Sequence, residues 1–151
     1  MNDIINLIAI IITSLSMSVH FGTWLTERPM RRTQSGPLFV EVHQGRDAIA
    51  AKVMPFLGNA AIIFIAIGVF FNYSDILRFI LSLAALIFVI LDMVVTLTFN
   101  VPINKKVQSW KVDSPPPEWK ELRDRWERFH TIRTFLIVTG FSLYTASVVL
   151  F

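Results

Sequence analysis

Four apolar stretches dominate this chain, each about as long as a bilayer is thick. They run from about 4 to 25, 48 to 71, 76 to 99 and 132 to 151. A helix needs about 20 residues to cross roughly 30 Å of hydrocarbon. The apolar runs are continuous rather than alternating, and lipid offers no partner to an open strand edge, so helices are predicted rather than strands. The fold class that follows is an all-α membrane protein, a four-transmembrane-helix antiparallel bundle, read as a single integral membrane domain over residues 1–151. Composition agrees. Of 151 residues, 54% are hydrophobic and 17% charged, against about 25% charged in an ordinary soluble domain. A chain this poor in charge cannot bury its own apolar surface, so the lipid bilayer is its expected partner. Despite a net charge of +3, no nucleic-acid partner is expected. The absence of cysteine excludes disulfides, thiolate zinc sites, iron–sulfur clusters and thiol catalysis.

The basic residues are strongly segregated. Of the 14 Lys and Arg residues, all except Arg78 fall in or beside the stretches 26–47 and 100–133. The positive-inside rule makes that face cytoplasmic and puts both termini on the non-cytoplasmic side. The first span has Asp3 and no Lys or Arg before it, and no small-x-small site follows, so it reads as a span and not a cleaved leader. Asn72-Tyr73-Ser74-Asp75 reads as a tight antiparallel turn. The stretch from Thr26 to Asp47 reads as a long connection in which Pro37-Leu38-Phe39-Val40 forms a re-entrant or interfacial piece. After Ser114-Pro115-Pro116-Pro117 the fourth helix is expected to start early and stand out of the cytoplasmic face for about three turns, supported by Glu121/Arg125 and Asp124/Arg128 pairs. Pro55 and Gly58 mark an expected kink in the second span, and Pro102 an expected stop after the third.

Helical phase then gathers the scarce polar residues. Asn6, Thr13, Met17, His20 and Trp24 form one stripe on the first helix. Asp92, Thr96 and Asn100 repeat at i+4 on the third, and Trp119, Arg123, Trp126, His130 and Arg133 share a face of the fourth. Asp92 stands about two turns inside the apolar span, where an unpaired carboxylate costs several kcal/mol. His20, Lys52, Arg133 or the Trp24 indole is its expected partner. Bland readings stand beside these: the basic loops as topology, Asp92 as a pin between helices, His20 as a bonded core residue, and the tryptophans as an interfacial belt.

Asn100-x-Pro102-x-Asn104, Trp110, and Trp119-x3-Arg123-x2-Trp126-x3-His130-x2-Arg133 together resemble the anthrone-oxygenase-like family of small four-helix membrane proteins, most of them without an assigned function. The resemblance implies one four-helix membrane domain. From a few members it also implies oxidation of an anthrone to an anthraquinone with O₂, with no cofactor firmly implied.

Three functions follow. In the first, a flat, hydrophobic aromatic ketone loses an acidic C–H proton to a base and then reacts with O₂. His130 has the intrinsic pKa for the base. Arg123, Arg133, Asn100 and Asn104 hold the oxyanion, Trp126 or Trp24 stacks on the rings, and Asp92 orients His20 or His130. His20, Trp24, Asn100, Asn104 and Trp126 thus bind substrate, while His130, Arg123, Arg133 and Asp92 act on it, with no residue assigned to a metal. In the second, His20 and His130 ligate a haem as a pair from two helices, or hold a metal together with His43 or Asp92, although no C-x-x-C-H or H-E-x-x-H spacing marks it. In the third, the bundle binds a lipid or aromatic ligand without catalysis, or associates as a homo-oligomer. Gly58 and Gly68 are too far apart for a G-x-x-x-G contact.

Overall fold

The structure, a computed structural model, describes residues 2–151. It contains helices α1 (Asn2–Gly22), α2 (Arg28–Thr33), α3 (Gly36–Phe71), α4 (Ile76–Val95), α5 (Val101–Gln108) and α6 (Trp119–Val149). Two π turns, Thr23–Glu27 and Thr96–Asn100, join α1 to α2 and α4 to α5 without a break. Four rods result, each long and apolar enough to cross a membrane. The protein is an all-α four-helix bundle and an integral membrane protein.

The rods pack in a ring. α6 lies along α4 and α1, α3 lies along α1 and α4, and the diagonal pair α3 and α6 barely touch. Short connections dictate this arrangement, because consecutive antiparallel helices end up as neighbours. Asp75 caps α4 by accepting hydrogen bonds from the backbone N–H groups of Leu77 and Arg78, which closes the predicted 72–75 turn. At that end Arg78 Nε donates to the Ser147 carbonyl, 3.0 Å away.

Apolar packing divides into two cores. One, in the half of the bundle away from the basic residues, joins Ala9, Ala61, Ile65, Val69, Ala85, Val89, Ile137 and Tyr144. Here Tyr144 Oη donates to Asn6 Oδ1 at 2.8 Å, which satisfies a buried phenol. The other core sits at the basic end and joins Phe39, Val40, Ile103, Val107 and Trp126, with Trp110, Val112, Trp119 and Leu122 packed against it. It forms a small cap on the bundle.

Several expectations are corrected. The first connection is not a long loop, because only Gln34 and Ser35 separate α2 from α3. Pro37-Leu38-Phe39-Val40 is the first turn of α3, where Pro is tolerated because the N–H groups there have no helical partner. Polar residues 41–47 suggested a loop, yet they belong to a helix that starts outside the apolar span. Pro102 does not stop the third helix; the chain continues to Gln108. The π turn just before it carries an extra residue, which makes room for a ring that would otherwise strike the carbonyl one turn back. α3 stays helical through Pro55, the residue at which a kink is expected. The Glu121/Arg125 and Asp124/Arg128 pairs do not form among the described residues; Asp124 instead takes Arg123 at 2.9 Å. Exposed pairs of this kind are worth too little to dictate rotamers.

Candidate functional site

Between the two cores lies a cavity of about 530 Å³. It lies along the least buried part of α3. α3 is buried at Gly36, Phe39, Val40 and His43, and again from Ala61 onward, but at no residue from 44 to 60. A volume of this size suits a small organic ligand, for which pockets run from about 300 to 1,000 Å³.

His20, Asp92 and Arg133 meet on one wall. Arg133 Nε donates to Asp92 Oδ1 at 3.0 Å, and its Nη2 lies 2.7 Å from His20 Nε2. His20 Nδ1 lies 2.8 Å from the Ser16 carbonyl, which can only accept. That fixes the imidazole proton on Nδ1 and leaves Nε2 to accept from Arg133. Asp92 is 3.7 Å from His20 Nε2, so the carboxylate holds the arginine and the arginine holds the histidine. Of the expected partners of Asp92, Lys52 and Trp24 stay apart. Lys52 is exposed, which suits a long side chain that carries its ammonium to the membrane surface.

His130 occupies the middle of the site. Its ring stacks between His20 (centroids 5.9 Å apart, planes 8° apart) and Trp126 (4.7 Å, 11°). It is buried, and neither ring nitrogen has a hydrogen-bond partner. Buried polar atoms without partners are uncommon in folded proteins and call for a reason.

A second network fixes Trp126. Its Nε1 donates to Asn104 Oδ1 at 2.7 Å, and the same oxygen accepts from His43 Nε2 at 3.1 Å. Asn104 Nδ2 donates in turn to Asp47 Oδ1 at 2.6 Å. The Trp126 ring is covered: His130 stacks on it, Arg31 lies over it at 4.4 Å, and His43 meets it edge-on at 5.2 Å. Protein groups thus lie against the Trp126 ring, which also lines the cavity. Glu27 braces this side by pairing with both Arg31 and Arg46, and Arg46 Nη2 also donates to Thr23 Oγ1 at 2.9 Å.

Six residues from the sequence reading (His20, Asp92, Asn104, Trp126, His130 and Arg133) line the cavity together with His43. Trp24, Asn100 and Arg123 do not. The π turn after Gly22 puts Thr23 on the inner face and leaves Trp24 beside Phe21 and Phe135. The second π turn points Asn100 at α6, where its Nδ2 donates to the Trp126 carbonyl at 3.2 Å. Arg123 lies toward the cap, paired with Asp124 and 5.3 Å over the Trp119 ring. Sequence reasoning missed Ser16, Arg31, Asp47 and Glu127. Ser16 had a signal, since it lies one turn before His20 on the same stripe.

Paired axial ligation of haem does not fit His20 and His130. Lone pairs of imidazole lie in the ring plane, and two rings stacked face to face cannot aim them at one iron between them. His20 Nε2 is in addition engaged by Arg133. Among the described residues, no three His, Asp or Glu side chains converge as a metal centre requires.

The family profile described as anthrone oxygenase matches residues 47–143. The chain belongs to the anthrone oxygenase family. That match takes in most of α3 and all of α4 and α5, together with α6 as far as residue 143. Asp92, Asn104, Trp126, His130 and Arg133 thus lie within the family region, whereas His20, Arg31 and His43 lie before it. No curated protein matches the chain, and no solved structure does.

Proposed function

We propose that this protein is a membrane oxygenase that converts the ring CH₂ of a flat phenolic ketone of the anthrone class to a carbonyl, using O₂ and releasing water. His130 carries the reading: a buried imidazole on the cavity wall, stacked between His20 and Trp126, with neither ring nitrogen tied to another side chain. A base must reach its proton directly or through one water, and an imidazole already committed to protein partners is less able to do so. Family membership supports the reaction class.

His130 removes one CH₂ proton. The enolate oxygen is held by Arg133, whose Nη1 makes no hydrogen bond to protein among the described residues and whose direction is set by Asp92 and His20. Such a preset donor stabilises charge as it develops. The electron-rich ring gives one electron to O₂, and the radical pair combines to form a carbon–oxygen bond. Loss of the second C–H hydrogen as a proton breaks the O–O bond, which leaves the carbonyl and expels water. Both oxygen atoms of O₂ are fully reduced, one in the product and one in water. The rings lie against the apolar wall of Met54, Pro55, Met93, Leu97 and Val101 rather than on Trp126, whose part is to position His130.

We also infer that the chain forms one membrane domain with its basic end in the cytoplasm and both termini opposite. Heavy-isotope O₂ tests the reaction. Anthrone incubated with purified protein is expected to yield quinone carrying one labelled oxygen, and label found only in water would overturn the scheme.

A further inference from the structure

The wall of the cavity reaches exposed residues between α3 and the α4–α5 rod, at the depth of the apolar spans. The seam between α3 and the α4–α5 rod is shut at two levels. Toward the basic end, Asp47 accepts from Asn104 Nδ2 at 2.6 Å and Gln108 Nε2 at 3.1 Å, and Gln44 Nε2 donates to the Val107 and Trp110 carbonyls. Deeper, the Met93 side chain fills the seam, its Cε lying 2.6 Å from where a Cβ on Gly58 would stand. From Asp47 to Gly58 the distance is roughly 16 Å along the helix. Among the described residues no side-chain hydrogen bond or ion pair crosses the interval between those closures. Ala51 and Pro55 border it on α3, and Leu97 and Val101 on the facing rod. Ala51 and Pro55 are exposed, and Leu97 is 60% exposed, although all three line the cavity.

Toward the basic end the cavity is roofed in part, with Arg46 and the exposed Lys105 also among its lining. Phe39, Val40, Ile103, Val107 and Trp126 form an apolar core above the cavity, and the Arg31–Glu27–Arg46 bridge lies beside it.

We propose that the ligand is a molecule dissolved in the bilayer that enters sideways between α3 and α4, with its polar edge leading toward Arg133 and His130. Its class is an amphipathic, membrane-partitioned compound, and a water-soluble one of the same shape does not reach the site by this route. The slit begins beside Asp47, at the membrane surface where the polar edge of such a molecule sits, and runs inward past apolar side chains. This rests on the functional reading above for what the ligand does, but not for where it enters.

The chain has no cysteine, so single substitutions can be labelled cleanly. Spin labels at Ala51→Cys and Leu97→Cys in lipid vesicles are expected to collide several-fold more with O₂, which concentrates in lipid, than with a water-soluble nickel chelate. Added anthrone should lower the O₂ collisions at both positions and leave a label at Ile63→Cys, in the same span as Ala51, unchanged. Preference for the nickel chelate at Ala51 and Leu97 would overturn the proposal. So would quenching of tryptophan fluorescence by anthrone without any change at the two slit labels, which means entry elsewhere. If anthrone alters neither the tryptophans nor the labels, the functional reading fails, while preference for nickel at the two slit positions still overturns the portal.

Discussion

Asp92 and Arg133 form a pair whose removal is informative only when done in two ways. Both side chains are about nine-tenths buried. Arg133→Met strands a carboxylate, and breaking a buried pair costs about 3–5 kcal/mol. Asp92→Leu combined with Arg133→Met removes both charges and should recover most of that loss while turnover stays absent. Equilibrium unfolding in mixed micelles measures the first effect and anthrone turnover the second; recovery of both would reduce the pair to a structural pin. Asp92 was legible in the sequence because a carboxylate within an apolar span needs a partner. Arg31 was not, since it looked like one more topogenic charge until the fold laid it over Trp126. Glu127 was hidden in the same way. It sits in a charged helical segment, yet it is buried, with its Oε2 3.1 Å from Arg32 Nε.

Among the elements, the spans were readable and the irregularities were not. Hydropathy reports only which segments prefer lipid, so the polar first turns of α3 passed for a loop and the π turns left no trace. Those turns set the site. The Thr96–Asn100 turn gives α5 the phase that brings Asn104 to Trp126 and Asp47. Deleting Thr98, an exposed residue within that turn, should restore α-helical geometry and swing α5 by about 100°. The Trp126–Asn104 bond is then lost, and the expected readout is a red shift of tryptophan emission with little loss of helix by circular dichroism. An unchanged emission spectrum would show that the turn does not set this register. At the other end α3 approaches closely over Gly68, where a Cβ would strike the Tyr144 hydroxyl and come within 3.2 Å of Asn6 Oδ1. Gly68→Ala is expected to cost about 1–3 kcal/mol through overpacking. Gly45→Ala, with open space around it, should be neutral or stabilise by up to about 1 kcal/mol, so unfolding of the two variants separates packing from helix propensity.

At the scale of the whole molecule, charge and apolar surface divide the work. One end carries every Lys and Arg except Arg78, and the cavity lies just inside it. Reporter fusions within the 109–118 connection are expected to be active in the cytoplasm, and those within the 72–75 turn on the other side. The reverse pattern would overturn the orientation. O₂ uptake by purified protein in lipid nanodiscs tests whether this cavity oxidises an anthrone with His130 as base. Wild-type protein should consume O₂ in proportion to anthrone converted, and His130→Gln, with similar volume but no base, should lose at least about 100-fold in rate, the lower end of what a positioned base contributes. His130→Gln turning over at the wild-type rate would rule out His130 as the base.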